Sequence, residues 1–259
     1  MKRTKKVLAA IRLTFLLTLM YAFCHTIYEL TQGRHADNFG FATMGMMALA
    51  FGITYIPTTL KRLNIIAIPN SLEAAFAVFI FGSMLLGETL NFYFRFLWWD
   101  LMLHFSSGAI FCFVGYLLLM SLNRDSSVRQ QVNPTVIILF AIFFSISCGT
   151  VWEIYEYVVD TLFGTDTQKW MSFVSQEVWL AAQNTSNASN PGLVDTMRDI
   201  IANTVGMLAV LPIIVKIARH KNRYKKSCAS LDHVLQEFEQ TAHAIGISAE
   251  HSLKDKRVE

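Results

Sequence analysis

Apolar residues in this chain come in blocks rather than in alternation. Six blocks, at about 8–30, 38–56, 71–91, 99–122, 134–162 and 193–216, are each near the 20 residues a helix needs to cross about 30 Å of hydrocarbon. Pro57, Pro69 and Pro134 fall between blocks or in a first turn, where proline costs no helical hydrogen bond. The pattern predicts an all-α polytopic membrane protein, a bundle of about six transmembrane helices. Residues 1–217 read as a six-span transmembrane domain and 218–259 as a cytoplasmic tail. In that tail Leu231, Val234, Leu235, Phe238 and Ile245 recur at helical spacing and predict a short amphipathic helix. Gly45, Ala48 and Gly52 on the second span predict a face for close helix contact. No internal repeat is visible.

Composition agrees with the blocks. Hydrophobic residues make up 53% of the chain and charged ones 16%, where a soluble domain carries about a quarter charged. A net charge of +3 gives no reason to expect nucleic acid as a partner; the lipid bilayer is the expected one. Cys24, Cys112, Cys148 and Cys228 form no CxxC and no zinc spacing, and three of them sit in apolar blocks as small packing residues. The basic start and first apolar block resemble a signal peptide. Phe23 before Cys24 spoils a lipoprotein site and no A-x-A pattern follows, so the segment reads as a retained first span.

The position of the basic residues orients the bundle. Lys2, Arg3, Lys5, Lys6, Lys61, Arg62, Arg124, Arg129 and the run "KIARHKNRYKK" fall on one side. Only Arg34, Arg95, Lys169 and Arg198 fall on the other, so the positive-inside rule puts both termini in the cytoplasm. Arg12 is expected to snorkel to the inner surface. "NFYFRFLWW" (91–99) then lies at the outer interface as an aromatic belt. Residues 164–192 form a polar outer loop long enough to cover a site; Asn184 and Asn187 in it match the sequon pattern.

Against this topology the acidic residues share a depth. The fifth span carries Glu153, Glu156 and Asp160 toward its outer end; the fourth starts there with Asp100, and His104 lies about 6 Å deeper on the same face. On the sixth, Asp195, Asp199 and Asn203 recur every four residues, beside Arg198. Glu88, His25 and Glu29 fall in the same slab. A charge within the membrane costs at least about 2.5 kcal/mol, so such residues face protein or water. His104, Glu153, Glu156 and Asp199 are therefore the candidate catalytic residues. Glu88, Asp100, Asp160, Asp195, Arg198 and Asn203 are the candidate lining of a polar site. Bland readings stand beside this one. Asp100 and Asp195 begin helices and can cap them, Asp160 is at the wet end of its helix, and the deeper residues can fix helix register as a buried network.

Acids this close need relief from protons, from His104 or Arg198, or from a bound cation. The cofactor reading is a divalent metal ion, with His104, Glu153 and Asp199 as ligands. Carboxylates suit Mg²⁺ or Mn²⁺ and an imidazole widens the choice to Zn²⁺ or iron. Binding should weaken below about pH 6 as free imidazole protonates. Three functions remain open at this point: an enzyme on a lipid or lipid-linked substrate, an ion- or proton-coupled transporter, and a non-catalytic binding or sensor protein. No nucleophile elbow, P-loop or HExxH occurs.

The set D-x-x-x-H (100–104), WE-x-x-E (152–156) and D-T-x-x-D-x-x-x-N-x-x-G (195–206) resembles the YjdF-type family of bacterial inner-membrane proteins. Asp100, His104, Gly108, Trp152, Glu153, Glu156, Asp160, Asp195, Thr196, Asp199, Asn203 and Gly206 match its pattern, and the likeness covers roughly residues 70–215. A looser similarity reaches VanZ-like proteins, linked to glycopeptide tolerance, which tend to have Glu then Gln where this chain has Glu153 and Glu156. The resemblance implies a bacterial plasma-membrane protein and supplies no established reaction.

Overall fold

Each apolar block folds as a helix whose ends are written in its sequence. In the computed structural model, which describes residues 2–32, 38–122, 133–172 and 190–244, the helices are α1 Lys2–Thr31, α2 Asn38–Ile53, α3 Ile56–Arg62, α4 Asn70–Ile80, α5 Phe92–Arg95, α6 Trp99–Leu122, α7 Pro134–Phe163 and α8 Pro191–Ala244. A π-helical segment, Phe81–Thr89, prolongs α4. Among the described residues no strand occurs. Six helical stretches are long and apolar enough to cross a membrane, α2 with α3 and α4 with its π-helical extension counting as one each.

The ends of α7 are typical. Asn133 precedes Pro134 and its side-chain oxygen accepts the Thr135 N–H at 3.0 Å, satisfying a first-turn donor. At the far end Gly164 takes a left-handed φ of 65° and donates its N–H to the Asp160 carbonyl, the C-terminal stop that glycine favours. Between them the buried residues Ile137, Ala141, Ser145, Gly149 and Glu153 recur every fourth position, one stripe of a helix face. The opposite faces carry Leu139, Phe143, Val151, Leu162 and Phe163, all exposed, as expected of helices whose solvent is lipid.

Two apolar clusters organise the packing. Ile11, Phe15, Met47, Ala50, Ala77, Ile80 and Leu85 join α1, α2 and α4 with its extension; Tyr93, Trp99 and Leu103 join α5 to α6. The tightest approaches are made elsewhere, by glycines. A Cβ on Gly108 of α6 would lie 1.9 Å from the Asn203 carbonyl oxygen of α8, and one on Gly206 of α8 would lie 1.8 Å from that of Phe105. These helices touch backbone to backbone one turn apart, twice, which only glycine permits. Gly115 makes a looser approach of α6 to α7, where a Cβ would lie 2.9 Å from Phe144 Cβ and 3.1 Å from Ala141 Cα.

The predicted contact face of the second span needs correcting. Added Cβ atoms on Gly45 and Gly52 would meet no described atom within 4 Å, and Ala48 is exposed. Small residues four apart permit a close approach but do not supply the neighbour that makes it.

The chain divides into two compact units, Met1–Pro212 and Ile213–Glu259. In the second, α8 continues to Ala244, so the backbone of the expected tail helix is helical. The side chains that would give it an apolar face, the sequons at Asn184 and Asn187, and residues 173–189 of the outer loop lie outside what is described.

Candidate functional site

Three helix faces meet where α6 and α8 begin and α7 ends. Along α6 the i, i+4 pair Asp100 and His104 lies on one ridge, and the His104 Nε2 is 3.6 Å from an Asp100 carboxylate oxygen. Its Nδ1 is 3.4 Å from Glu153 Oε1 of α7. The imidazole therefore sits between carboxylates of two helices, 7% exposed, with Glu153 at 2%. Asp199 and Asn203 enter from α8, at 1% and 2% exposure.

Below them, small polar groups close the layer. Asn203 Nδ2 donates to Ser107 Oγ at 3.1 Å, Ser107 Oγ donates to the His104 carbonyl at 2.8 Å, and Ser145 Oγ donates to the Gly108 carbonyl at 2.8 Å. The Asn203 side chain also fills the space beside Gly149 of α7. One asparagine thus ties three helices together. Deeper buried positions on α6, α7 and the start of α8 are apolar or small apart from Tyr116: Cys112, Gly115, Ala141 and Met207.

Ligand geometry follows from this packing. Oxygen or nitrogen atoms of Asp100, His104 and Asp199 lie within 4.8 Å of one another, and so do those of His104, Glu153 and Glu156. His104 is shared, so the expected ligand trio of His104, Glu153 and Asp199 is divided between the two sides of the imidazole. Asp195 Oδ2 and Asp199 Oδ2 are buried with no described hydrogen-bond partner. An unsatisfied buried carboxylate oxygen costs its full desolvation, and a proton or a cation relieves it. The donor set, carboxylate oxygens with one imidazole, fits a divalent ion.

The other expected lining residues take different parts. Asp160 turns to the loop after α7 and accepts from Thr165 Oγ1, from the N–H and hydroxyl of Thr167, and from the Gln168 N–H, at 2.6–3.0 Å. Glu88 pairs with Lys169 at 2.8 Å. Asp195 is buried one turn before Asp199, while Arg198 is exposed. His25 and Glu29 on α1 are half-buried, His25 lying against the Tyr21 ring. The loop that Asp160 organises reaches α8 through Gln168 Nε2, which donates to Thr196 Oγ1 at 2.8 Å and to the Gly192 carbonyl at 3.3 Å.

Sequence reading overlooked Tyr93, Ser83 and Lys169. The aromatic stretch expected to form a belt splits in two: Phe94, Phe96 and Trp98 are exposed, while Tyr93 and Trp99 turn inward. Asn91 makes the turn with a left-handed φ of 62°. Tyr93 then lies flat on Gly87, where a Cβ would come within 2.4 Å of its ring, and shares a 3.1 Å hydrogen bond with Ser83. Burial, with the Asp100 carboxylate second, holds the Tyr93 phenol well above its ordinary range, so it remains a donor. Trp99 Nε1 donates to the Gly82 carbonyl at 3.2 Å in the π-helical segment, a distortion frequent at functional sites.

These residues border a cavity of about 690 Å³. Asp100, His104, Glu156 and Tyr93 line it at one end, and Phe76, Phe79, Phe111 and Phe144 line the rest. From Phe144 to Glu156 along α7 is about 18 Å, close to the depth of one leaflet, about 15 Å. Val151, Trp152 and Tyr155 at its margin are exposed, so the groove opens sideways between helices.

Asp166, in the loop beyond α7, supplies a pH test. Its Oδ1 is buried without a described partner, and burial pushes its carboxyl up to about 6 against the opposing pull of Lys169. A raised folded-state pKa stabilises the fold fully below the unfolded value near 3.8, and that contribution is lost as pH rises through about 6. Residues 166–172 should therefore be held more tightly at pH 5 than at pH 7, and Asp166→Asn should remove the difference. Amide hydrogen exchange at the two pH values, corrected for intrinsic rates, checks this.

Fold and site together define a helical membrane protein with a buried His–carboxylate layer at one end of an apolar groove. The chain belongs to the DUF2238 family of predicted membrane proteins, whose model matches residues 8–222. It is also 24% identical over 162 residues to an uncharacterized protein of Thermotoga maritima, covering 62% of this chain and 71% of that protein. No solved structure matches it.

Proposed function

We propose that this chain is a membrane-embedded enzyme acting on the polar end of a lipid or lipid-linked substrate. The observation that carries the reading is the groove: about 18 Å long along α7, mostly apolar, open to the side, and ending on Asp100, His104 and Glu156. A lipid chain would occupy the apolar part and place its head group against the imidazole and carboxylates. A divalent cation there would supply Lewis-acid polarisation of a head-group oxygen. Glu156, facing the groove, would exchange a proton with a bound head group, and Tyr93 would donate a hydrogen bond to one of its oxygens. Glu153 and Asp199 stand behind His104, holding its orientation and the charge balance.

A transporter needs a polar path to the opposite face. Beneath Ser107 and Ser145 the described buried residues of α6, α7 and the start of α8 are apolar or small apart from Tyr116, which favours a site closed from below. The finer identity is likewise part of the proposal: a YjdF-type protein of a bacterial plasma membrane, with both termini cytoplasmic and a distant relation to VanZ-like proteins. Single cysteines at positions 187 and 225 test the orientation; an impermeant thiol reagent should label only 187 in intact cells.

Protein purified in detergent without chelator should carry a stoichiometric divalent metal or gain thermal stability from one between pH 6 and 8, with the gain reversed by EDTA and lost below about pH 6. Mass spectrometry should find a co-purified lipid. No metal and no cation-dependent stabilisation would leave a proton-sharing carboxylate cluster and remove the metal from the reading.

A further inference from the structure

A second polar cluster lies at the other end of the bundle, built by α1, α3 and the start of α4. Arg12 is half-buried among them: its Nη2 donates to the Thr54 carbonyl at 2.7 Å and to Thr58 Oγ1 at 2.8 Å. Its guanidinium carbon lies 3.8 Å from the Tyr55 ring centroid, a cation–π contact. Glu73, buried on α4, accepts a hydrogen bond from Thr58 and stands 4.0 Å from both Arg12 and Lys61. Lys61 in turn donates to the Asn70 side chain.

These groups wall a cavity of about 690 Å³ that also takes in Lys5 and Arg62. That is the size of a small-molecule site, typically about 300–1,000 Å³. Four cations from two helices and one carboxylate face it, so Glu73 fixes the positions of Arg12 and Lys61 without neutralising the pocket. A register-fixing ion pair would need one cation for Glu73, and helix-end charge would account for Lys61 and Arg62 on the last turn of α3. Neither accounts for the half-buried Arg12 stacked on Tyr55 or for the volume in front of it. The planar fork of a guanidinium beside ammonium groups and a hydroxyl suits phosphate oxygens.

We propose that this pocket binds a phosphate group, borne either by an anionic lipid of the adjacent leaflet or by a soluble phosphate compound. It is separate from the His104 groove: the two cavities share no lining residue. The proposal therefore stands or falls independently of the proposed enzyme.

Thermal unfolding of the full chain in a neutral detergent distinguishes the sources. One arm titrates inorganic phosphate against chloride at matched ionic strength; the other adds mixed micelles of phosphatidylcholine with or without phosphatidic acid. A saturable rise with inorganic phosphate assigns a soluble ligand, and a rise with phosphatidic acid alone assigns a lipid. Lys61→Gln and the double variant Lys5→Gln/Arg62→Gln, at exposed positions, should fold normally and need about tenfold more of the effective probe, the loss of about one charge-assisted contact. Arg12→Lys should keep the charge and lose the forked contact, with a weakening at least as large if it folds. No stabilisation by either probe, or variants that respond as the wild type does, would overturn the proposal.

Discussion

His104→Ala and Glu153→Gln should each abolish cation-dependent stabilisation, weakening binding by about 100-fold or more, since loss of even an outer-shell partner costs about 10–100-fold. His104 is expected to show the larger effect because it belongs to both ligand sets, with Asp100 and Asp199 on one side and Glu153 and Glu156 on the other. Asp199→Asn and Glu156→Gln separate the two: the variant that loses binding marks the set that holds the ion. Isothermal titration on purified variants reads this directly, and any phenotype of the gene should follow the same order. Abundance should stay near normal, and Glu29→Gln, on a half-buried residue of α1, should change little. If the His104 and Glu153 variants instead fail to accumulate in the membrane, the layer is a register-fixing network.

Gly108→Ala and Gly206→Ala are expected to have the largest structural effect. A methyl group 1.9 Å or 1.8 Å from a carbonyl oxygen cannot be absorbed by a side-chain rotation, because the obstacle is backbone. The helices must separate by about 1 Å or more, and overpacking of this kind costs about 1–3 kcal/mol. The same movement pulls Asn203 from Ser107, so the site should be lost with the stability. Gly45→Ala and Gly52→Ala introduce the same atom into open space and should leave the unfolding temperature near that of the wild type. Thermal unfolding of the four variants in one detergent makes the comparison.

The six helices were legible because hydrocarbon imposes a length, and lysine and arginine mark ends. The polar layer was legible in depth: spacing of four put Asp100 with His104 and Asp199 with Asn203. Rotation about each helix axis was not legible. Depth alone could not tell that Asp160 faces its own loop, that Glu88 meets Lys169, or that Glu153 and Asp199 lie on different sides of one imidazole. Tyr93 was hidden inside a stretch whose composition described an interfacial belt, and only the turn at Asn91 sends it inward. Arg12 and Glu73 were hidden for another reason. Each is unremarkable near a membrane surface, and their meeting depends on how α1 packs against α4.

The reciprocal glycine contacts also limit what can move. Two helices in backbone contact at Gly108 and Gly206, one turn apart, can neither slide along nor roll over each other without collision, so α6 and residues 191–212 of α8 are locked in register. Whatever gating a bulky amphiphile requires must come from the opposite wall of the groove. There the backbone is π-helical over Phe81–Thr89, and Tyr93 is held by a hydrogen bond to Ser83, by its fit on Gly87 and by the Lys169 ammonium 5.1 Å from its ring centroid. The glycine-locked pair thus keeps Asp100 and His104 in fixed register with Asp199 and Asn203.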